Sequence, residues 1–225
     1  MNKLDLDLDK IITSFDEVQD ILNKVLSKMD EPKLKNKNIK KHIVSEKEMI
    51  EIMRLSNLEI KESINENQFK RVYGVCVSNK KNPNYFYLGI KQNNFATFFM
   101  TYFHELGHIA NNEFKKVKLS RLETVVIDES LAESFAYWAT EEFNKIYSLK
   151  FKDIRIILSA EIEEQKIPEK LYQVTEEKII LTKLLLDFHN IFGSSKKTYE
   201  KIQDLAYNHP TELAKLIYDC YISNK

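Results

Sequence analysis

The stretch at 94–110, NFATFFMTYFHELGHIA, constrains this chain more than any other. It is apolar almost throughout, and Phe99, Phe103, Leu106 and Ala110 recur at helical spacing. That pattern predicts a helix over 94–113 that is buried along one row and must be covered by other elements. Yet two histidines and a glutamate interrupt it, as FHELGHIA at 103–110. Polar groups placed in such a helix need partners, because burying them alone is costly.

His104 and His108 stand four residues apart. On a helix they lie about 40° apart on one face, so both imidazoles can meet one metal ion. Neutral imidazole nitrogen suits zinc. Glu105 follows the first histidine by one residue. From there it can reach water at the metal without ligating the ion, which is what a general base requires. Gly107 costs a helix about 1 kcal/mol relative to alanine. Close approach of another backbone, or plain tolerance in packing, would account for it.

A zinc site needs a third protein ligand. The extended pattern HExxHxxGxxH is absent, since Asn111 and Phe114 occupy the later positions. A ligand from another element is therefore expected, and the best source is IDESLAESFAYWATEEF at 127–143. Leu131, Phe135 and Trp138 mark its apolar side, and Ala132, Ala136 and Ala139 leave room for close packing. Glu129 and Glu133 share one face at i, i+4. The residues favour Glu129 as ligand, with Glu133 accepting from the other N–H of a ligand imidazole. Glu133 as ligand is the alternative, and a solvent-facing pair of glutamates is the plainer one.

HELGH followed some twenty residues later by ExxAExFA resembles the zincin metallopeptidases of the gluzincin type, and is most similar to the ImmA/IrrE-like family. The matching residues are the strand at 85–91, His104 to His108, and Glu129 to Ala136, within a stretch covering about 70–140. The resemblance implies His104, His108 and Glu129 as zinc ligands and Glu105 as catalytic base. It implies a minimal zincin core, a small three-stranded twisted sheet packed on the active-site helix, and proteolysis of intracellular regulators such as transcriptional repressors. Glu133 stands where the family usually has Asn or Asp, and YWATEEF lacks the family's common Leu-rich, Pro-terminated ending.

The rest of the chain reads as α+β and predominantly helical. Helices are expected at 10–29, 46–56, 120–147, 150–165, 175–192, 196–207 and 210–222, and strands at 58–63, 70–78 and 85–91 with a turn at 80–84. Pro168, Gly193 and Pro210 punctuate the helical half. The lysine-rich run 33–41 reads as a solvated linker. This divides the chain into an N-terminal helix and basic linker (1–45), a metallopeptidase core (46–148) and a C-terminal helical region packed on it (149–225).

Composition excludes more than it selects. The 34 basic residues balance 34 acidic ones, and only four of the basic residues are arginine. No field therefore draws the chain to nucleic acid or an anionic membrane. No apolar run approaches about 18 residues, so no membrane span is expected. MNKLDLDLDK lacks the apolar stretch of a signal peptide, which makes a cytoplasmic setting the expectation. Asp5, Asp7 and Asp9 have calcium-loop spacing, but Lys10 replaces the required glycine and Asp16 the final glutamate. The two cysteines make no disulfide framework. Cys76 reads as buried, His42 as a surface residue, His189 as a core residue and His209 as part of a helix-helix turn. Tyr102, Tyr137 and Tyr172 are candidates to stabilise an oxyanion, without a spacing that chooses among them.

The function expected is a zinc-dependent endopeptidase that binds a protein or peptide in extended form along a strand edge. The alternatives are a catalytically silent zincin-fold module with structural or sensory zinc, and a helical scaffold with an accidental HExxH.

Overall fold

The computed structural model describes residues 10–56, 72–79, 81–116, 121–147, 184–185 and 187–222. The described residues form an α+β protein, mostly helical, with a small three-stranded mixed sheet and a separate two-stranded pairing. Among them no helix is long and apolar enough to cross a membrane. The chain divides into two compact units, Met1–Ala110 and Asn111–Lys225. The expected strand at 58–63, helix at 150–165, most of helix 175–192, Tyr172 and the aspartates before Lys10 lie outside the described residues.

In the first unit, the expected helix at 10–29 begins later. Ile11–Ile12 is a short strand, β1, paired antiparallel with Asn93–Asn94. A capping box then turns the chain. The Ser14 side chain accepts from the Asp16 N–H, and Glu17 Oε1 accepts from the N–H groups of Thr13 and Ser14 at 2.9 Å each. These bonds satisfy donors that a helix start leaves open, so the chain forms a 3-10 turn before α1, Gln19–Met29. Leu22, Val25 and Met29 are its buried side. Asp30 ends it in the left-handed conformation, φ 50°.

The lysine-rich run is not a linker. Asn38–Val44 is a strand, β2, parallel to β4 from Asn38 opposite Tyr85 to Val44 opposite Lys91. Lysine is tolerated there because long stems cover apolar surface while the ammonium groups seek polar or aromatic partners. Lys41 shows how. Its Nζ lies 5.6 Å from the Phe15 ring centre and 5.7 Å from that of Tyr102, and donates to Gln19 Oε1 at 3.0 Å. Burial pushes its pKa down. The third strand of the sheet thus comes from 38–44, a segment whose lysines conceal a half-buried strand.

Helix α2 is Glu46–Ser56, where a short helix is expected. Strand β3, Gly74–Asn79, pairs antiparallel with β4, Asn82–Lys91, giving the order β2-β4-β3. Asn79 Oδ1 accepts from the N–H of Lys81 and of Asn82 across the turn. After Asn93–Asn94 (β5), α3 runs from Phe95 to Ala110 and packs on β3 and β4. Phe98, Phe103 and Ile109 of α3 and Leu88 and Ile90 of β4 are fully buried.

In the second unit, α4 is Arg121–Tyr147, 27 residues and about 40 Å long. Every residue from Ser134 to Thr140 is buried, so the helix is enclosed around its whole circumference there. Helices α5, Ser195–Asn208, and α6, Pro210–Ile222, pack on it and on each other. Trp138 of α4 stacks on Tyr199 of α5 at 5.5 Å, and Phe135 meets the same ring edge-on at 5.4 Å. Gly193, at φ 72°, ends the helical turn before α5, and Pro210 opens α6.

Candidate metal centre

Helix α3 presents His104 and His108 one turn apart, both half-buried. Their rings are edge-to-face with centres 4.8 Å apart, and the two Nε2 atoms stand 3.1 Å from one another. The helix holds them there because Phe98, Phe99, Tyr102, Phe103 and Leu106 fix it in the core. A rigid helix limits the freedom of both rings. Two nitrogens bound to one tetrahedral zinc stand about 3.3–3.4 Å apart, given zinc–nitrogen lengths of about 2.0–2.1 Å. The observed spacing is close to that requirement.

Glu129 and Glu133 lie one turn apart on α4, both half-buried, amid the buried Ser130, Leu131, Ala132 and Ser134. Each of His104, His108 and Glu129 offers one ligand atom, and these atoms lie within 4.8 Å of one another, so the three could hold a metal ion. Two imidazoles and one carboxylate form a donor set that suits zinc and leaves a fourth position open. Glu133 is not part of that group.

Glu105 is 7% exposed, a buried carboxyl on the α3 turn that carries the histidines. Gly74, at the start of β3, lies directly against it. A Cβ built on Gly74 would stand 2.8 Å from Glu105 Cγ, 2.8 Å from Glu105 Oε1 and 2.5 Å from Thr101 Cγ2. Composition and motif reading pass over Gly74. The signal was present nonetheless: an isolated glycine inside a strand pattern, RVYGVCVS, marks close approach of another group. Gly107 is buried within α3.

The remaining sequence candidates fall elsewhere. Tyr102 is 2% exposed, with its ring among Phe15, Phe103 and Lys41, and burial pushes its hydroxyl pKa far up. That placement fits a core residue. Tyr137 is buried on α4. His42 is not a plain surface residue: it lies half-buried on β2 and stacks on Tyr87 of β4 at 5.1 Å. The alternation of β2 puts His42, opposite Gly89, on the sheet face that Tyr87 also occupies. Cys76 is half-buried on β3. His189 is half-buried, and its carbonyl accepts from the Gly193 N–H at 2.8 Å. His209 joins α5 to α6 through its backbone, donating to Leu205 O at 2.8 Å and accepting from the Leu213 N–H at 3.1 Å.

Comparison with family models, with curated proteins and with solved structures returns no match to the chain.

Proposed function

We propose that the chain is a zinc-dependent endopeptidase, a gluzincin most similar to the ImmA/IrrE-like family. Its substrate on this reading is an intracellular protein, such as a repressor or other regulator. The observation that carries this reading is the convergence of ligand atoms from His104, His108 and Glu129 within 4.8 Å, with Glu105 in the same HExxH turn.

In this reading His104, His108 and Glu129 hold the ion, and Glu133 steadies one ligand imidazole by accepting its other N–H. Bound zinc would supply a Lewis acid that polarises the scissile carbonyl and makes water at the site more acidic. Glu105 accepts a proton from that water and returns it to the departing amine. Its buried setting limits competing solvation of the carboxylate. On this reading an extended peptide adds to the sheet by backbone pairing along a strand edge.

The test is Glu105→Gln, which keeps the shape of the side chain and removes the base. The variant should bind zinc with the stoichiometry of the wild type and lose peptide cleavage. A Gln variant that cuts as fast as the wild type refutes the mechanism. Wild-type protein that binds zinc fully and cuts nothing across a proteome favours a silent zincin-fold module instead.

A further inference from the structure

We propose that Gly74 is a positioning residue for Glu105: the missing side chain on β3 is the space in which the Glu105 carboxyl is held. This rests on Glu105 being the proton acceptor of the reaction. Gly74 stands opposite Ile90 in the β3–β4 ladder, and Thr101 and Glu105 lie one turn apart on the α3 face that meets it. A methyl group at position 74 would come within 2.8 Å of Glu105 Cγ and Oε1 and within 2.5 Å of Thr101 Cγ2, whereas ordinary contacts begin near 3.4 Å.

Three things could yield to that methyl group. Helix α3 is held by Phe98, Phe99, Tyr102 and Phe103, all 3% exposed or less. Strand β3 is held by its pairing with β4 from Gly74 to Asn79. Thr101 is β-branched, with a stiff χ1 in a helix. The Glu105 side chain, with three rotatable bonds, is the softest of the contacts. Restoring an ordinary separation moves its carboxyl by roughly 0.6 Å, and a base works only within about 0.5 Å of its productive position.

Gly89 provides the contrast. It also lies in the sheet, but a Cβ there would meet Tyr87, Val44 and Val75 side chains at 3.2–3.3 Å and nothing of Glu105.

The experiment uses the full chain loaded with zinc and a library of internally quenched peptides. Every variant carries Thr101→Ser, which deletes the nearest methyl and leaves Glu105 as the closest neighbour of position 74. Gly74→Ala should lower kcat by roughly 10- to 100-fold with KM within about twofold and zinc stoichiometry unchanged. Gly89→Ala should leave kcat unchanged.

A second readout needs no activity. Gly74→Ala should lower Tm by roughly 4–8 °C, and that loss should largely vanish when Glu105→Ala is added. The same Tm loss with and without the Glu105 side chain overturns the proposal. So does unchanged kcat in an active, folded Gly74→Ala variant. Thermal coupling combined with a wild type that cuts no peptide retains the contact but removes the base it would position. That outcome overturns the proposal through its premise and is told apart from a failure of the contact itself.

Discussion

Replacing Asn111 by leucine tests how the chain is fixed where it leaves the HExxH helix. Asn111 follows Ala110, three residues past His108, and is fully buried. Its Nδ2 donates to Tyr199 Oη at 3.2 Å, and its Oδ1 accepts from Gln203 Nε2 at 3.1 Å. Gln203 Nε2 also donates to Tyr199 Oη at 2.8 Å, and Tyr207 Oη donates to the Asn111 carbonyl at 3.3 Å. Helix α5 thus holds both the side chain and the backbone of this residue. Leucine keeps the branched shape but puts two bulkier methyl groups in place of the amide oxygen and nitrogen, and it removes the side-chain hydrogen bonds to Tyr199 and Gln203. At about 1 kcal/mol each, plus the cost of buried groups left poorly paired, the loss is about 2–3 kcal/mol. For a chain of this length that lowers Tm by roughly 4–12 °C. Tyr199→Phe removes the hydroxyl at the centre of the triangle and should cost about 1–2 kcal/mol. Because the two residues share one network, the double variant should be less destabilised than the sum, by about 1 kcal/mol. Urea unfolding of the four proteins measures this cycle. Additivity within about 0.3 kcal/mol would refute the reasoning, since it would show that Asn111 and Tyr199 contribute independently.

Two further predictions address the metal and the N-terminal turn. Zinc at 100 times its dissociation constant should stabilise the native protein by about 2.7 kcal/mol, raising Tm by roughly 5–11 °C. His104→Ala should abolish that rise, and calorimetry with and without chelator reads it. A wild type indifferent to both zinc and chelator argues against a metal centre. Glu17 is held down to about pKa 2, first by Lys10 and then by the hydroxyl and N–H of Thr13. A carboxylate lowered on folding contributes stability that is full above its ordinary pKa of 4.5 and is lost as pH falls toward 2. Glu17→Gln should therefore flatten the stability profile between pH 4.5 and 2, read as the urea midpoint against pH. An unchanged slope in that window would show that the capping box carries no such linkage.

Some elements were legible from local pattern. Arg121–Tyr147 and Pro210–Ile222 match the helices expected at 120–147 and 210–222 almost to the residue. A long run of good helix formers with no glycine or proline in the first, and a proline at the first position of the second, are local properties. The strand at 85–91 was legible for the same reason and extends back to Asn82. Residues 33–41 were not legible. Five lysines in nine residues mask the strand signal, and only the parallel partner β4 and the rings around Lys41 make the segment a strand. The helix expected from residue 10 starts at Gln19 because pairing with Asn93–Asn94 takes up Ile11 and Ile12, and that partner lies more than 80 residues away.

The pairing of His104 with His108 is written into the local chain, since i, i+4 on a helix sets two side chains on one face wherever that helix lies. So is the place of Glu105 relative to them. What surrounds that turn follows from packing between elements far apart in the chain. Glu129, not Glu133, is the carboxylate grouped with the imidazoles, and i, i+4 spacing alone does not choose between the two. The bare Gly74 against Glu105 depends on a strand 30 residues earlier packing on the helix. Local spacing sets the direction of a side chain, whereas its neighbours follow from how the chain packs, and no local window contains that information.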